Sequence, residues 1–380
     1  MRILFSFLSL VTVSCASSQI SNEFEVEFVG DKTEIPIQYR SGASPVIEVK
    51  VNGAGPFKFM FDTGSPELLK LDERVFNLLQ TPVIDSVLAG DGSGRNNRSY
   101  PVTMVNTTEL GNFRILNSRA MVRNYNSRPG IDSIDGVIGP VFFTGYLVEL
   151  NFERNLLIIT KDALSAGDSQ VYPLRIKNGV PGMNVKLGSR EIDAHFDTGN
   201  MGSFTLPESK VEPGEMIGEP RIVGRARTVS NSFEIKEVQV NPTLFIGKIA
   251  FEKPLLILND MMPQANMGVR MLRQMNLTFD FKNKLVKLVK FESKESGSGA
   301  SSEYAGSYAG DRLITEDADA QLYIQRPGGM RLKMVLIKPD TYTVEKAPGA
   351  EMKFERDSSG KIVAVNVTRG DGKWERAAKL

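Results

Sequence analysis

The chain repeats itself once, and that repeat constrains everything else. The first copy reads PVIEVKVNGAGPFKFMFDTGSPELL from Pro45, and the second reads PGMNVKLGSREIDAHFDTGNMGSFTL from Pro181. Asp62 follows Pro45 by 17 residues and Asp197 follows Pro181 by 16. Each copy gives an alternating strand, a tight turn (Asn52-Gly53 or Gly188-Ser189), a second strand and then Phe-Asp-Thr-Gly. The likeness resumes downstream, in GVIGPVFFTGYLVELNFERNLLII from Gly136 and NMGVRMLRQMNLTFDFKNKLVKLV from Asn266. Gly139 to Phe152 and Gly268 to Phe281 both span 13 residues, and each stretch ends in a hairpin turning at Arg154-Asn155 or Asn283-Lys284. Agreement at several anchors marks residues 22–164 and 165–292 as two copies of one β-rich lobe.

Composition narrows the chemistry. The chain has one His, His195, and one Cys, Cys15. A Ser-His-Asp or Cys-His triad would need His195 as its base, and a zinc site of His/Cys type lacks ligands. No metal and no cofactor is expected, so carboxylates, hydroxyls, amides and lysines are left to do the work. Lys+Arg number 46 and Asp+Glu 45, with no basic stripe, so nucleic acid is not an expected partner.

Residues 1–18 read as a signal peptide, with Arg2 before an apolar run from Ile3 to Val13 that is too short to span a bilayer. Two cleavage readings stay open. Thr12-Val13-Ser14-Cys15 forms a lipobox with Cys15 as the lipidated N-terminus, while Ala16-Ser17-Ser18 suits ordinary cleavage before Gln19. The position of the single Cys favours the lipobox. Both give an exported protein, periplasmic, secreted or anchored to the outer membrane by lipid.

The duplicated Asp-Thr-Gly motif carries the candidate chemistry. Amide hydrolysis without metal or covalent intermediate needs a base to activate water and an acid to polarise the carbonyl. Two carboxylates about 3 Å apart supply both, because they share one proton. Asp62 and Asp197 are therefore the candidate catalytic pair. Gly64 and Gly199 permit the turn that exposes each Asp and leave amides to hold it. Thr63 and Thr198 are expected to hydrogen-bond across a pseudo-twofold axis. Ser65 is expected to donate to the outer oxygen of Asp62, and Asn200 to donate through its amide in the second lobe.

These residues resemble the pepsin/retropepsin clan of aspartic peptidases, and more closely its bacterial two-lobed members, over most of residues 35–290. The resemblance implies an all-β fold of two closed β-barrel lobes forming an internal pseudo-dimer. It implies no cofactor, an extended peptide as substrate, and an Asp-Thr-Gly loop in each lobe completed by an apolar-apolar-Gly segment. Val137-Ile138-Gly139 fits that segment, whereas Asn266-Met267-Gly268 has Asn266 at an apolar place. It also implies a β-hairpin flap at residues 87–100, with Gly90, Asp91, Gly92, Ser93 and Gly94 at the tip, and a second-lobe counterpart at 222–232.

Residues 293–303 read as a Ser/Gly-rich linker. Residues 304–380 read as a small β-rich accessory domain, with strands near 321–325, 331–337, 351–356 and 361–368, and resemble a β-domain that follows the catalytic part of bacterial exported hydrolases. His195 shares a strand face with Asp197 but reads as an incidental polar residue. The leading function is an aspartic endopeptidase acting on exported or envelope polypeptides. The departures Asn200 and Asn266 leave a second reading, a weak or inactive peptide- or glycan-binding lipoprotein using the same cleft. Covalent linkage of the lobes favours pairing within one chain, hence a monomer.

Overall fold

A computed structural model of the chain describes residues 24–40, 44–66, 68–90, 97–126, 133–227, 232–260, 264–291, 303–316, 321–338, 340–344, 350–369 and 374–380. The leader with Cys15, the flap-tip residues Asp91, Gly92, Ser93 and Gly94, and residues 293–302 of the linker lie outside the described residues. The fold is nearly all β, as the resemblance implied.

In the first half, Asn52 and Gly53 adopt left-handed φ values of 49° and 76°. That tight turn folds Ser44–Val51 back on Ala54–Phe61, with Val46 opposite Met60. After the Asp62 loop, Leu69–Asp72 leaves on the far side of a gap. The strand Gly136–Ile138 fills this gap, parallel to Ala54–Phe61 and antiparallel to Leu69–Asp72. The second half repeats this with the same strand senses. Val180–Leu187 turns into Arg190–Asp197, and Ala265–Gly268 runs parallel to it and antiparallel to Phe204–Leu206. In both halves, a strand buried on two faces ends directly beside an Asp loop.

The two large sheets differ in closure. Arg98–Leu110 pairs with both Ser44–Val51 and Phe113–Arg123, which closes the first sheet into a ring. In the second half the counterpart of Arg98–Leu110 is split into Ser232–Val240 and the three-residue Leu244–Ile246, and the strand path of that sheet stays open. Arg98–Leu110 makes both of its pairings as one unbroken thirteen-residue strand.

The hairpins after the Gly anchors leave their own sheets. Leu147–Asn151 pairs antiparallel with Met275–Asp280, with Leu150 opposite Leu277, at the centre of a six-stranded sheet drawn from both halves. Backbone hydrogen bonds thus join the halves, and one apolar core runs through both, including Phe61, Phe143, Phe196 and Phe279.

Among the described residues of 303–380, eight antiparallel strands follow one another in sequence order. Four of them, Gly306–Tyr308, Arg312–Glu316, Thr341–Val344 and Trp374–Ala378, are short and went unseen in the sequence reading. The first meets the last through a bridge between Tyr308 and Lys379, so the meander closes around Tyr308, Met352 and Phe354. This barrel touches the larger body through a buried ion pair. Arg273, at the end of the short helix Val269–Leu272, donates to Glu351 at 3.3 Å, and its guanidinium lies 3.8 Å from the centre of the Tyr39 ring. Side-chain exposure is 3% for Arg273 and 8% for Glu351, so the pair is dry. Arg273→Met takes the cation away from a buried carboxylate, and urea unfolding should report a loss of about 3–5 kcal/mol. A loss below about 1 kcal/mol would mean that the contact is unimportant to docking.

Candidate active site

The strands Ala54–Phe61 and Arg190–Asp197 end in two loops that lock together. The Thr63 N–H donates to the Thr198 hydroxyl at 3.0 Å, and the Thr198 N–H donates to the Thr63 hydroxyl at 3.0 Å. Each hydroxyl then donates onward across the junction, Thr63 to the Phe196 carbonyl at 2.9 Å and Thr198 to the Phe61 carbonyl at 2.6 Å. Both threonines are fully buried. Every bond has a twin made by exchanging the lobes. Only a hydroxyl side chain can accept and donate at once in this way.

This lock brings the acidic side chains together. A Cβ built on Gly64 would sit 2.6 Å from the Asp197 carboxyl carbon, and one on Gly199 would sit 2.6 Å from that of Asp62. Each carboxyl group thus lies against the other loop's glycine, and the two carboxyls are in hydrogen-bond contact. The glycines are needed for this close approach rather than for the tight turn, since neither takes a left-handed φ. The Gly64 N–H holds one oxygen of Asp62 at 2.9 Å. Burial, followed by the charge of Asp197, pushes the Asp62 carboxyl up to about 7, against the opposing pull of Lys70. Lys70 itself hydrogen-bonds the Ser65 hydroxyl.

The surroundings of Asp197 are richer in donors. Its Oδ1 accepts from the Gly199 N–H and the Asn200 N–H, both at 3.0 Å. Its Oδ2 accepts from the Asn266 side-chain amide at 2.6 Å. We expected the Asn200 side chain to make this last contact. Instead, the Asn200 amide donates to the Asn266 carbonyl oxygen at 2.9 Å, while its own oxygen accepts from the Gly202 N–H at 2.8 Å. Asn266 is therefore the site residue that the sequence reading undervalued. The signal was present, a polar side chain two residues before the Gly anchor where the first lobe has Val137.

Residues 47–142 match the family model for aspartyl proteases. The matched stretch holds Asp62, Thr63, Gly64 and Ser65 and ends just beyond Gly139. It supports a hydrolase of the aspartic peptidase clan in general terms. No curated protein matches the chain.

The hairpin expected as a flap is paired as Val83–Ala89 with Arg98–Leu110, with Val87 opposite Tyr100. Its near end is anchored from beneath. The buried Arg123 guanidinium lies 4.3 Å from the centre of the Tyr100 ring and donates to the Gly90 carbonyl at 3.1 Å. In the second half, Met216–Arg227 and Ser232–Val240 form the counterpart hairpin. His195 stands apart from the carboxyl pair's hydrogen bonds. It lines a cavity of about 340 Å³ with Arg175, Lys177, Asp193 and Lys284, and burial lowers its pKa. Among the described residues, no helix is long and apolar enough to cross a membrane.

Proposed function

We propose that the chain is an aspartic endopeptidase that hydrolyses peptide bonds with the Asp62–Asp197 pair. The observation that carries this reading is the reciprocal Thr63–Thr198 lock, which holds two carboxyls in contact at the meeting point of two lobes. With one shared proton, the ionised carboxyl removes a proton from water as the water oxygen attacks the peptide carbonyl carbon. The protonated carboxyl gives its proton to the carbonyl oxygen. The C–N bond of the resulting gem-diol then breaks. The leaving nitrogen takes the proton drawn from water, and a gem-diol hydroxyl returns a proton to the other carboxyl. An extended peptide under the Val83–Ala89 and Arg98–Leu110 hairpin is the natural substrate form. The leader points to exported or envelope polypeptides as substrates, with lipid attachment at Cys15 as the anchor. The working unit is a single chain. The test is cleavage of a peptide library by purified protein, followed by the carboxyl variants argued in the Discussion.

The raised Asp62 carboxyl sets a pH dependence. Activity needs one proton on the pair, so turnover should fall as pH rises through about 7. Stability follows the same group. Its folded pKa exceeds its unfolded value of about 4, so the protonated form favours the fold. That contribution is complete below about pH 4 and is lost as pH rises through about 7. Asp62→Asn imitates the protonated carboxyl. Its melting temperature should exceed that of the parent by several degrees at pH 8, with the two converging at pH 4. Equal melting at pH 8 would show that ionised Asp62 is under no electrostatic stress.

A further inference from the structure

The backbone around the two carboxyls is pseudo-symmetric, but the polar side chains are not. Val137 pairs with Met60 on one side and Lys70 on the other. In the second lobe the same ladder positions are held by Asn266, His195 and Thr205. Each Asp loop has a polar residue after its glycine, Ser65 in the first lobe and Asn200 in the second. Each of these residues contacts the outer strand, Ser65 through Lys70 and Asn200 through Thr205 at 3.4 Å. The one addition is Asn266, which reaches the carboxyl itself.

We infer that Asn266 is a positioning residue that fixes Asp197 as the ionised, water-activating member of the pair and Asp62 as the proton donor. This rests on the peptidase reading for its catalytic meaning, while the charge assignment rests on the hydrogen-bond geometry, with the burial of Asp62 beside it. Asn266 is 6% exposed, and its amide can present either oxygen or nitrogen to Asp197. A relay decides which. The Gly202 N–H can only donate, so the Asn200 oxygen faces it. The Asn200 nitrogen therefore faces the Asn266 oxygen, and the Asn266 nitrogen faces Asp197 Oδ2. A backbone N–H thus sets the direction of the whole chain of hydrogen bonds. Asp197 takes three N–H donors across its two oxygens, and each favours its charged form. Among the described residues, Asp62 takes a single backbone donor, from Gly64, at 2.9 Å.

Among the described residues, few other ionisable groups surround the pair. Lys70 favours charge on Asp62 but acts against burial and the Asp197 charge, which prevail. Tyr125 lies within the field of Asp62, next to Arg123, and His195 lies within that of Asp197. Arg270, on the helix after Gly268, is 3.9 Å from Glu237. Asp197 thus takes the proton from water while Asp62 protonates the carbonyl oxygen. After C–N cleavage, Asp197 gives its proton to nitrogen and Asp62 regains one from the gem-diol.

The test is a carboxyl ¹³C NMR titration of the full chain with labelled aspartate, the signals of the pair being assigned by Asp62→Asn. Asp197 should ionise at lower pH than Asp62. Asn266→Val installs the first-lobe residue, and it should raise the Asp197 midpoint by about one unit or more. Asn200→Ser, also a first-lobe residue, removes only the orienting amide and should shift the midpoint the same way by less, so it carries the test if Asn266→Val does not fold. In peptide cleavage, Asn266→Val should lower kcat about tenfold with KM little changed, and should move the acid limb up with the midpoint. Asp62 ionising first, or a midpoint unmoved in a folded variant, would overturn the assignment. The predicted titration order in a chain that cleaves no peptide would support the charge assignment and overturn the peptidase reading.

Discussion

Asp62→Asn and Asp197→Asn each lower kcat for a cleaved peptide by about 10³-fold or more, because each removes one half of a concerted proton exchange. General acid and general base steps are each worth about 10²–10⁴. The two substitutions act on one proton shared between two carboxyls in contact, so their effects should not add. The double variant should be about as inactive as either single one. Steady-state kinetics on a peptide identified from a library checks this. If one variant kept near-parental kcat, the other carboxyl would be acting alone, and the paired mechanism would fail.

The second large effect falls on stability. Thr198→Val keeps the shape but removes both hydroxyl bonds, leaving the Thr63 N–H without its 3.0 Å acceptor and the Phe61 carbonyl without its 2.6 Å donor. Both groups lie where water is excluded. An unmade hydrogen bond of this kind costs about 1–3 kcal/mol, so the variant should lose about 2–5 kcal/mol in urea unfolding. Thr63→Val should lose a similar amount through the Phe196 carbonyl and the Thr198 N–H. The double variant should lose clearly less than the sum, since the four bonds form one reciprocal set. Thr→Ser at either position should recover most of the stability and most of the activity. Strict additivity would mean that the two loops are not energetically joined.

How much of this was legible in the sequence depends on the kind of signal. The strand–turn–strand units were readable because alternation and the Asn52-Gly53 turn are local, and the observed φ values fit that turn. The duplication made the equivalent loops visible, and the threonine lock followed from placing them face to face. The shared six-stranded sheet was not readable. Alternation says that Leu147–Asn151 and Met275–Asp280 are strands, but nothing local says that they pair with each other across 127 or more residues. The open strand path of the second sheet was also hidden, because it depends on which distant strands pair. Four strands of the C-terminal barrel, three to five residues long, were not legible, although Leu322–Gln325 is equally short and was. The Asn266 contact was missed for a different reason. A polar residue at an apolar family position reads first as a defect. Its meaning lies in a side-chain relay from Gly202 through Asn200 that only coordinates reveal.

Tight-binding titration with a peptide inhibitor bearing a tetrahedral hydroxyl in place of the scissile carbonyl probes the paired site most directly, since such a group mimics the hydrated transition state. One site built from both lobes of one chain predicts complete loss of cleavage at one inhibitor per chain. A stoichiometry of one inhibitor per two chains, or undiminished cleavage under saturating inhibitor, would contradict the account.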